Sequence, residues 1–360
     1  MRVAADRVCI LMMSAVGDTV HVLPVLQALK RANPAMHVTW ILQPGPAMLV
    51  RGHHLIDEII LFDRTAGISG FLDLRNRLRS LSFDLVLDLQ VYFKANIILS
   101  FINARVKLGF DMTRARDLNW LFTTHRIPPH DMQHVQDQYL EFCAWLEVPV
   151  SPVSWGIAPW NDDERAWQNE FYSRLDRPAV PIVVATSKAE KNWFPERWAA
   201  VCDALYVDFG LQPILVGGRS NVEVACERII MERAAHSPLS ALGNGGLRGL
   251  VAILDKAALV ISLDTGPLHI TVALDRPVIS LMGYSNPKRV GPYRRFADLM
   301  VDAYGDPGEE YPVSMENRHD RMQRISVDDV LEKVQLWRSR SAVSARAAAS
   351  TMAPDHQSPD

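Results

Sequence analysis

Short apolar runs alternate along the chain with longer stretches whose apolar positions recur every three or four residues. The runs Val8–Met13, His37–Leu42, Glu58–Phe62, 84–89 and Val106–Phe110 read as buried strands. Between them, Val22, Val25, Leu26 and Leu29 mark a helix that Asn33-Pro34 stops, and helices are predicted over 71–81 and 94–103. A helix over 133–147 closes this half. The alternation restarts with strands at Val180–Thr186, Pro213–Val216, Ala258–Leu263 and Pro277–Met282. A helix opened by Pro195 carries Trp198, Val201, Cys202 and Leu205, and further helices fall at 221–234, around Leu247–Leu254, around Leu268–Leu274 and at Val327–Trp337. Strands alternating with helices predict an α/β protein with parallel sheets covered on both faces.

The two halves are separated by the proline-containing stretch 148–180, which holds one predicted helix at 163–175. The expected division is a first domain over 1–155 and a second over 175–326. An amphipathic helix at 327–338 follows. The Ala-, Ser- and Pro-rich tail 341–360 is expected to be disordered. A length of 360 residues suits two domains, and the cleft between them is the natural ligand site.

Composition narrows the function. A net charge of −3 supplies no basic field for nucleic acid. Cys9, Cys143, Cys202 and Cys226 lie scattered in apolar patterns without a CxxC pair, which predicts buried thiols in a reduced compartment. The apolar run near the N-terminus is short and directly preceded by Asp6 and Arg7, so it reads as a first strand rather than a signal peptide. No window reaches the roughly 18 apolar residues of a membrane span, which leaves attachment to a membrane surface open.

Candidate chemistry sits where strands end, the edge at which parallel α/β sheets bind ligands. After the first strand comes Ser14-Ala15-Val16-Gly17-Asp18. Asp18 is a candidate general base facing the cleft, or simply a helix cap. A dinucleotide fold would place GxGxxG here, and it is absent. Thr186, Ser187, Lys188 and Lys191 offer hydroxyls and cations suited to a diphosphate, or form a solvated loop. Gly217-Gly218-Arg219-Ser220 leads to Glu223, either a ribose-binding carboxylate or half of a capping box with Ser220. Asp264-Thr265-Gly266-Pro267 opens a helix that carries His269, and a helix N-terminus there offers free N–H groups to a phosphate. Lys94, Lys107, Arg114 and Arg116 fall near the expected rim of the first domain and suit an anionic acceptor. His125, His130 and His134 lack an HExxH-type pattern, so no metal site is expected.

As an ordered set, SAVGDTVHVLPVLQALK, DLQVYFKANII, TSKAEKNWFPERW, GGRSNVEVA and LDTGPLHITVALDRPVISLMG resemble glycosyltransferase family 9, which contains the ADP-heptose:lipopolysaccharide heptosyltransferases. The resemblance covers residues 7–340. It implies a GT-B fold, two Rossmann-like domains with acceptor on the first and nucleotide sugar on the second, and a last helix, 327–338, that would pack back on the first domain. It further implies inverting transfer with no metal or cofactor and Asp18 as base. Thr186, Ser187, Lys188 and Lys191 would meet the diphosphate, Glu223 the ribose, and Asp264, Thr265, Gly266 and His269 would line the donor site. Lys94, Arg114 and Arg116 are the acceptor-binding candidates. The implied partners are ADP-heptose and an anionic, lipid-linked glycan. The implied place is the cytoplasm, with peripheral contact at the cytoplasmic face of the bacterial inner membrane. The sequence departs from the family pattern at Lys188, at Phe194 between Trp193 and Pro195, at Gly283-Tyr284-Ser285 and at Asn96. A same-fold transferase using another sugar and glycan, or a nucleotide-dependent oxidoreductase or epimerase, are the alternative readings.

Overall fold

The structure, a computed structural model, describes residues 2–351, with side chains as far as Arg340. The first half contains β1 (Arg7–Leu11), α1 (Val16–Ala32), β2 (His37–Leu42), α2 (Pro44–Val50), β3 (Glu58–Leu61), α3 (Gly67–Leu78), β4 (Ser82–Asp88), α4 (Phe93–Phe101), β5 (Asn103–Gly109), β6 (His125–Arg126) and α5 (Val135–Trp145). After the connecting helix α6 (Asp162–Tyr172) come β7 (Ala179–Val183), α7 (Pro195–Val207), β8 (Gln212–Val216), α8 (Asn221–Arg233), β9 (Leu239–Ser240), α9 (Gly246–Asp255), β10 (Val260–Leu263), α10 (Gly266–Ala273), β11 (Val278–Met282), α11 (Pro287–Val290), β12 (Val301–Asp302) and α12 (Val327–Thr351).

Each half builds a six-stranded parallel sheet, in the orders β3-β2-β1-β4-β5-β6 and β12-β11-β10-β7-β8-β9. Counted from its own first strand, the second order is the same as the first, that of dinucleotide-binding folds. Chain direction across each sheet reverses between its first and fourth strands, β1 and β4 in one and β7 and β10 in the other. A crevice opens beyond the carboxyl ends at such a reversal.

The domains are packed together by α1 and α10. Val20, Val22, Leu23, Val25 and Leu26 of α1 are completely buried, and each such side chain contributes about 1.5–3 kcal/mol relative to exposure. One apolar cluster runs from the first sheet through α1 to Leu268 and Ile270 of α10 and on to Val183 and Ile214. The approach is close enough that glycine is needed on both sides. A Cβ on Gly266 would stand 2.8 Å from Val16 Cγ1, and one on Gly17 would stand 2.8 Å from His269 Cδ2.

Helix α12 packs on α7, β11 and β12 of the second domain. Its Val330 and Val334 join the cluster of Trp198, Val201 and Leu205. The helix also runs past 338 to Thr351, through part of the stretch expected to be disordered, while 352–360 lie outside the described residues. The linker helix α6 belongs by packing to α9, where Gln168 Nε2 donates to the Ala252 carbonyl at 2.8 Å.

Gly266→Ala should lower thermal stability by about 1–3 kcal/mol, because stiff Val16 must move to admit the methyl group. A thermal or denaturant melt against wild type checks this, and an unchanged melt would mean that the α1–α10 contact is looser than described.

Candidate active site

Three chambers follow one another along the cleft. The first, about 680 Å³, is lined by Val183, Ala185, Leu247 and Leu250 of the second domain and by Val16 and Met48 of the first, with Glu223 at its edge. The middle chamber, about 420 Å³, shares Thr186, Ser187, Thr265 and Gly266 with the first. The third, about 390 Å³, lies in the first domain and shares Asp18, Val135, Arg289 and Met315 with the middle one. Both boundaries are made at the sheet reversal points: the shared hydroxyls and glycine follow β7 and β10, and Asp18 follows β1.

Asp18 stands in the first turn of α1. Its Oδ2 accepts from the Ala15 amide at 2.7 Å, and its Oδ1 accepts from the Tyr139 hydroxyl at 3.1 Å. Burial raises its pKa above the ordinary carboxylate value, while the two hydrogen bonds and the charges of Arg289 and Lys191 pull it back down. Asp18 therefore caps α1 and at the same time borders both the middle and the third chamber.

Lys191 Nζ donates to Asp264 Oδ2 at 2.6 Å, a contact between β10 and the turn after β7. Thr265 is the N-cap of α10, with Gly266 and Pro267 in the first turn; Pro267 has no N–H and the Leu268 amide donates to the Thr265 carbonyl at 3.0 Å, so the helix presents the Gly266 amide and the positive end of its dipole to the boundary of the first two chambers. Thr186 is tied into its own turn, its hydroxyl accepting from Lys188 N at 3.1 Å and donating to Lys188 O at 2.9 Å. The Lys188 ammonium lies 4.3 Å from the centre of the Tyr284 ring.

His269 borders the middle chamber and stacks obliquely against His21, ring centres 4.4 Å apart. Burial, then the nearby His134 and Lys191, push the His269 pKa down to about 3. His21 is likewise held well below its usual range, first by burial. Both imidazoles are therefore neutral near pH 7. His21 Nδ1 donates to Gln136 Oε1 at 3.0 Å, which leaves Nε2 buried without a partner among the described residues.

Arg289 of α11 is the residue that sequence reasoning missed. It borders both the middle and the third chamber, and its buried Nε has no hydrogen-bond partner among the described residues. Its charge acts on Asp18, His21, His134 and Tyr139. Only its place after a polar turn, Ser285-Asn286-Pro287, hinted at it. Tyr139 was equally hidden, because in the pattern of α5 it reads as core.

The acceptor-side candidates separate. Arg116 borders the third chamber and meets Met315 Sδ at 3.0 Å. Arg114 borders it too, but its guanidinium is spent on Asp111 and, at 2.7 Å, on Glu141. Lys94 is exposed on α4 and is not among the residues lining the chamber. Lys107 turns away, its Nζ donating to the Leu99 carbonyl at 2.8 Å. Glu223 is held as a capping partner: its oxygens accept from Gly218 N at 2.6 Å, Ser220 N at 2.9 Å and Ser220 Oγ at 2.6 Å. The three histidines outside these chambers' chemistry do not converge; His125 packs on Trp145, His130 meets the Asp131 carbonyl and His134 the Gly291 carbonyl.

Paired Rossmann-type domains whose reversal points face one another across such a cleft define a GT-B fold. The family model "Glycosyltransferase family 9 (heptosyltransferase)" matches residues 71–317. The chain is 31% identical over 337 residues to the lipopolysaccharide core heptosyltransferase OpsX of Haemophilus influenzae, covering 91% of this chain and 96% of that one. Lipopolysaccharide heptosyltransferase 1 of Escherichia coli K12 is 28% identical over 300 residues, 80% of this chain and 91% of that one. The protein belongs to glycosyltransferase family 9. In fold it is similar to the family 9 glycosyltransferase of Veillonella parvula, with a TM-score of 0.79 at 24% identity over 92% of this chain and 97% of that one. The E. coli heptosyltransferase WaaC solved with ADP gives 0.72 at 23% identity over 92% and 99%.

Removing the carboxylate of Glu223 by Glu223→Ala should cost about 1 kcal/mol in the unliganded protein, the usual loss of a capping interaction. Thermal denaturation without nucleotide reads this, and an unchanged midpoint would return Glu223 to a purely ligand-binding role.

Proposed function

We propose that this enzyme transfers a heptose from ADP-heptose to an anionic, lipid-linked acceptor of the lipopolysaccharide inner core, by a single inverting displacement without a metal. The observation that carries this is the line of three chambers with Asp18 at the second boundary. The apolar chamber suits the adenosine, the boundary at Thr186, Ser187, Thr265 and Gly266 suits the diphosphate, and the middle chamber suits the sugar. The third chamber takes the acceptor. E. coli WaaC has been solved with ADP and with ADP-2-deoxy-2-fluoro heptose, and the relatives named above are heptosyltransferases; both support this donor.

In this reading the acceptor hydroxyl enters beside Asp18 and attacks the anomeric carbon. The bond to the diphosphate oxygen breaks as the new C–O bond forms, and Asp18 takes the hydroxyl proton. Negative charge gathers on the leaving diphosphate. Lys191, held in place by Asp264, and the Gly266 amide at the positive end of α10 are arranged to stabilise it. Arg289 adds a second positive charge between sugar and acceptor. A retaining double displacement would need another carboxylate free to attack the sugar. Asp264, the other buried carboxylate of the middle chamber, is occupied by Lys191.

The test is transfer of heptose from ADP-heptose to an inner-core acceptor, followed by the anomeric configuration of the product. UDP- or GDP-sugars supporting faster transfer would overturn the donor, and a retained configuration would overturn the mechanism. Asp18→Asn should reduce turnover by about 10²–10⁴-fold with donor affinity preserved, the usual range for a lost general base. Lys191→Ala should instead weaken ADP binding by at least about tenfold, as expected for removing a charged hydrogen bond to phosphate.

The pH profile gives an independent reading. A base must be ionised, so activity falls as pH drops through the Asp18 pKa. That pKa is already raised by burial, and the Tyr139 hydrogen bond lowers it. Tyr139→Phe should therefore move the acid limb of kcat/KM to higher pH. An unmoved limb would show that another group governs it.

A further inference from the structure

Large apolar side chains stand exposed at the mouth of the third chamber. Tyr92, Phe93, Met112, Leu118 and Leu121 are all more than half exposed there, with 53% for Tyr92 and 59% for Phe93, Leu118 and Leu121. They come from two segments, the start of α4 and the loop 111–122, and the two are fastened together. Phe93 N donates to Asp117 Oδ2 at 2.9 Å, and Asn96 Nδ2 donates to the Asp117 carbonyl at 2.7 Å. Beneath them Asn119 Nδ2 bridges Asp88 Oδ2 at 2.7 Å and Asn96 Oδ1 at 2.6 Å, all three side chains being buried. The apolar side chains are therefore displayed from a fixed platform.

The backbone is bent to display them. Asp117 and Leu118 have φ of 51° and 59°, a left-handed conformation in which leucine is an outlier. Such strain persists only where the surroundings impose it, here through the Asp117 and Asn119 hydrogen bonds. Folding gains nothing from holding a leucine in that conformation while leaving it in water. Exposed apolar clusters of this kind mark interaction surfaces.

The charges at the same place select the partner. Lys94 and Arg116 are exposed among the apolar side chains. The nearby carboxylates are engaged, Asp111 by Arg114 and Asp117 by the Phe93 amide. Leucine, phenylalanine and tyrosine interspersed with Lys and Arg is the chemistry of a surface that lies in the headgroup region of an anionic bilayer. Tyr92 and Arg116 belong both to this patch and to the chamber lining, so the patch frames the entrance.

We infer that the rim formed by Tyr92, Phe93, Met112, Leu118 and Leu121, with Lys94 and Arg116, is the face by which the enzyme docks on an anionic lipid bilayer. This rests on the reading of the third chamber as the acceptor site. A lipid-linked acceptor keeps its acyl chains in the bilayer while its sugar enters the protein. The entrance must then lie against the headgroups, and an apolar, basic rim places it there. No element needs to span the bilayer: among the described residues, no helix is long and apolar enough to cross one.

The test uses the full chain and sedimentation with vesicles of phosphatidylglycerol and phosphatidylethanolamine, against vesicles of phosphatidylcholine alone, with no substrate present. The wild type should bind the anionic vesicles, and the triple variant Phe93→Ser, Leu118→Ser, Leu121→Ser should bind them at least about tenfold more weakly. Its thermal melt and its ADP affinity should match wild type, and so should turnover on a water-soluble, deacylated acceptor, whereas turnover on acceptor embedded in vesicles should fall. Lys94→Glu should weaken binding to the anionic vesicles only. Wild type that ignores the vesicles, or a triple variant that binds them as well as wild type does, would overturn the proposal. So would a wild-type dimer that the triple variant converts to monomer without any vesicle binding, since the face would then belong to a second copy. Vesicle binding that depends on this face, together with no transfer from any nucleotide sugar, would refute the donor and acceptor reading while supporting the docking face.

Discussion

The active site depends on one contact, the meeting of the first turns of α1 and α10 across the cleft. Gly17 faces His269 and Gly266 faces Val16, each pair too close for a further methyl group. This contact brings the two sheet reversal points together. Neither domain alone has the site: Asp18 and Tyr139 come from the first, and Lys191, Asp264, His269 and Arg289 from the second. The apolar cluster behind the contact is continuous between the domains, so the spacing of Asp18 and Lys191 is set by packing as well as by backbone.

Electrostatics in the middle chamber follows from that closeness. Burial would place costly charge on every titratable group, and the site resolves this differently for each. His21 and His269 give up their charge. Lys191 is paired with Asp264 at 2.6 Å. Asp18 lies between these cases, raised by burial and lowered by Tyr139, Arg289 and Lys191. A carboxylate placed in this way binds a proton more readily than an exposed one, and the nearby cations offset part of that shift. Arg289 is thus set where its charge acts on Asp18 from the wall shared by the middle and third chambers.

Much of this was legible in the sequence. The two-half α/β pattern and the strand-end loops at Asp18, Thr186–Lys191 and Asp264–Gly266 follow from local periodicity and turn residues, and the family from the resemblance of the ordered motifs. What escaped was decided by long-range packing. The two-residue edge strands β6, β9 and β12 are too short to carry a period, and α2 hides in Pro44-Gly45-Pro46, which reads as a turn. Nothing local tells a helix which domain its stripe will meet, and α12 met the second. Lys94 and Arg116 look alike in sequence, but only Arg116 reaches the chamber. Arg289 and Tyr139 gain their meaning from a cleft that no local pattern describes.

The departures from the family pattern are not scattered changes. Lys188 and Tyr284 stand in different loops, yet the ammonium of one lies 4.3 Å from the ring centre of the other. Phe194, the inserted aromatic before Pro195, lies under the guanidinium of Arg197 at 4.6 Å. Asn96 is bonded to Asn119 and to the Asp117 carbonyl. Each departure therefore has a partner that makes use of it, and a change at one position without its partner would leave a cation or an amide without its contact. The first pair borders the middle chamber and the Asn96 network underlies the entrance of the third. Two of the departures thus adjoin the chambers that Asp18 and Arg289 both border.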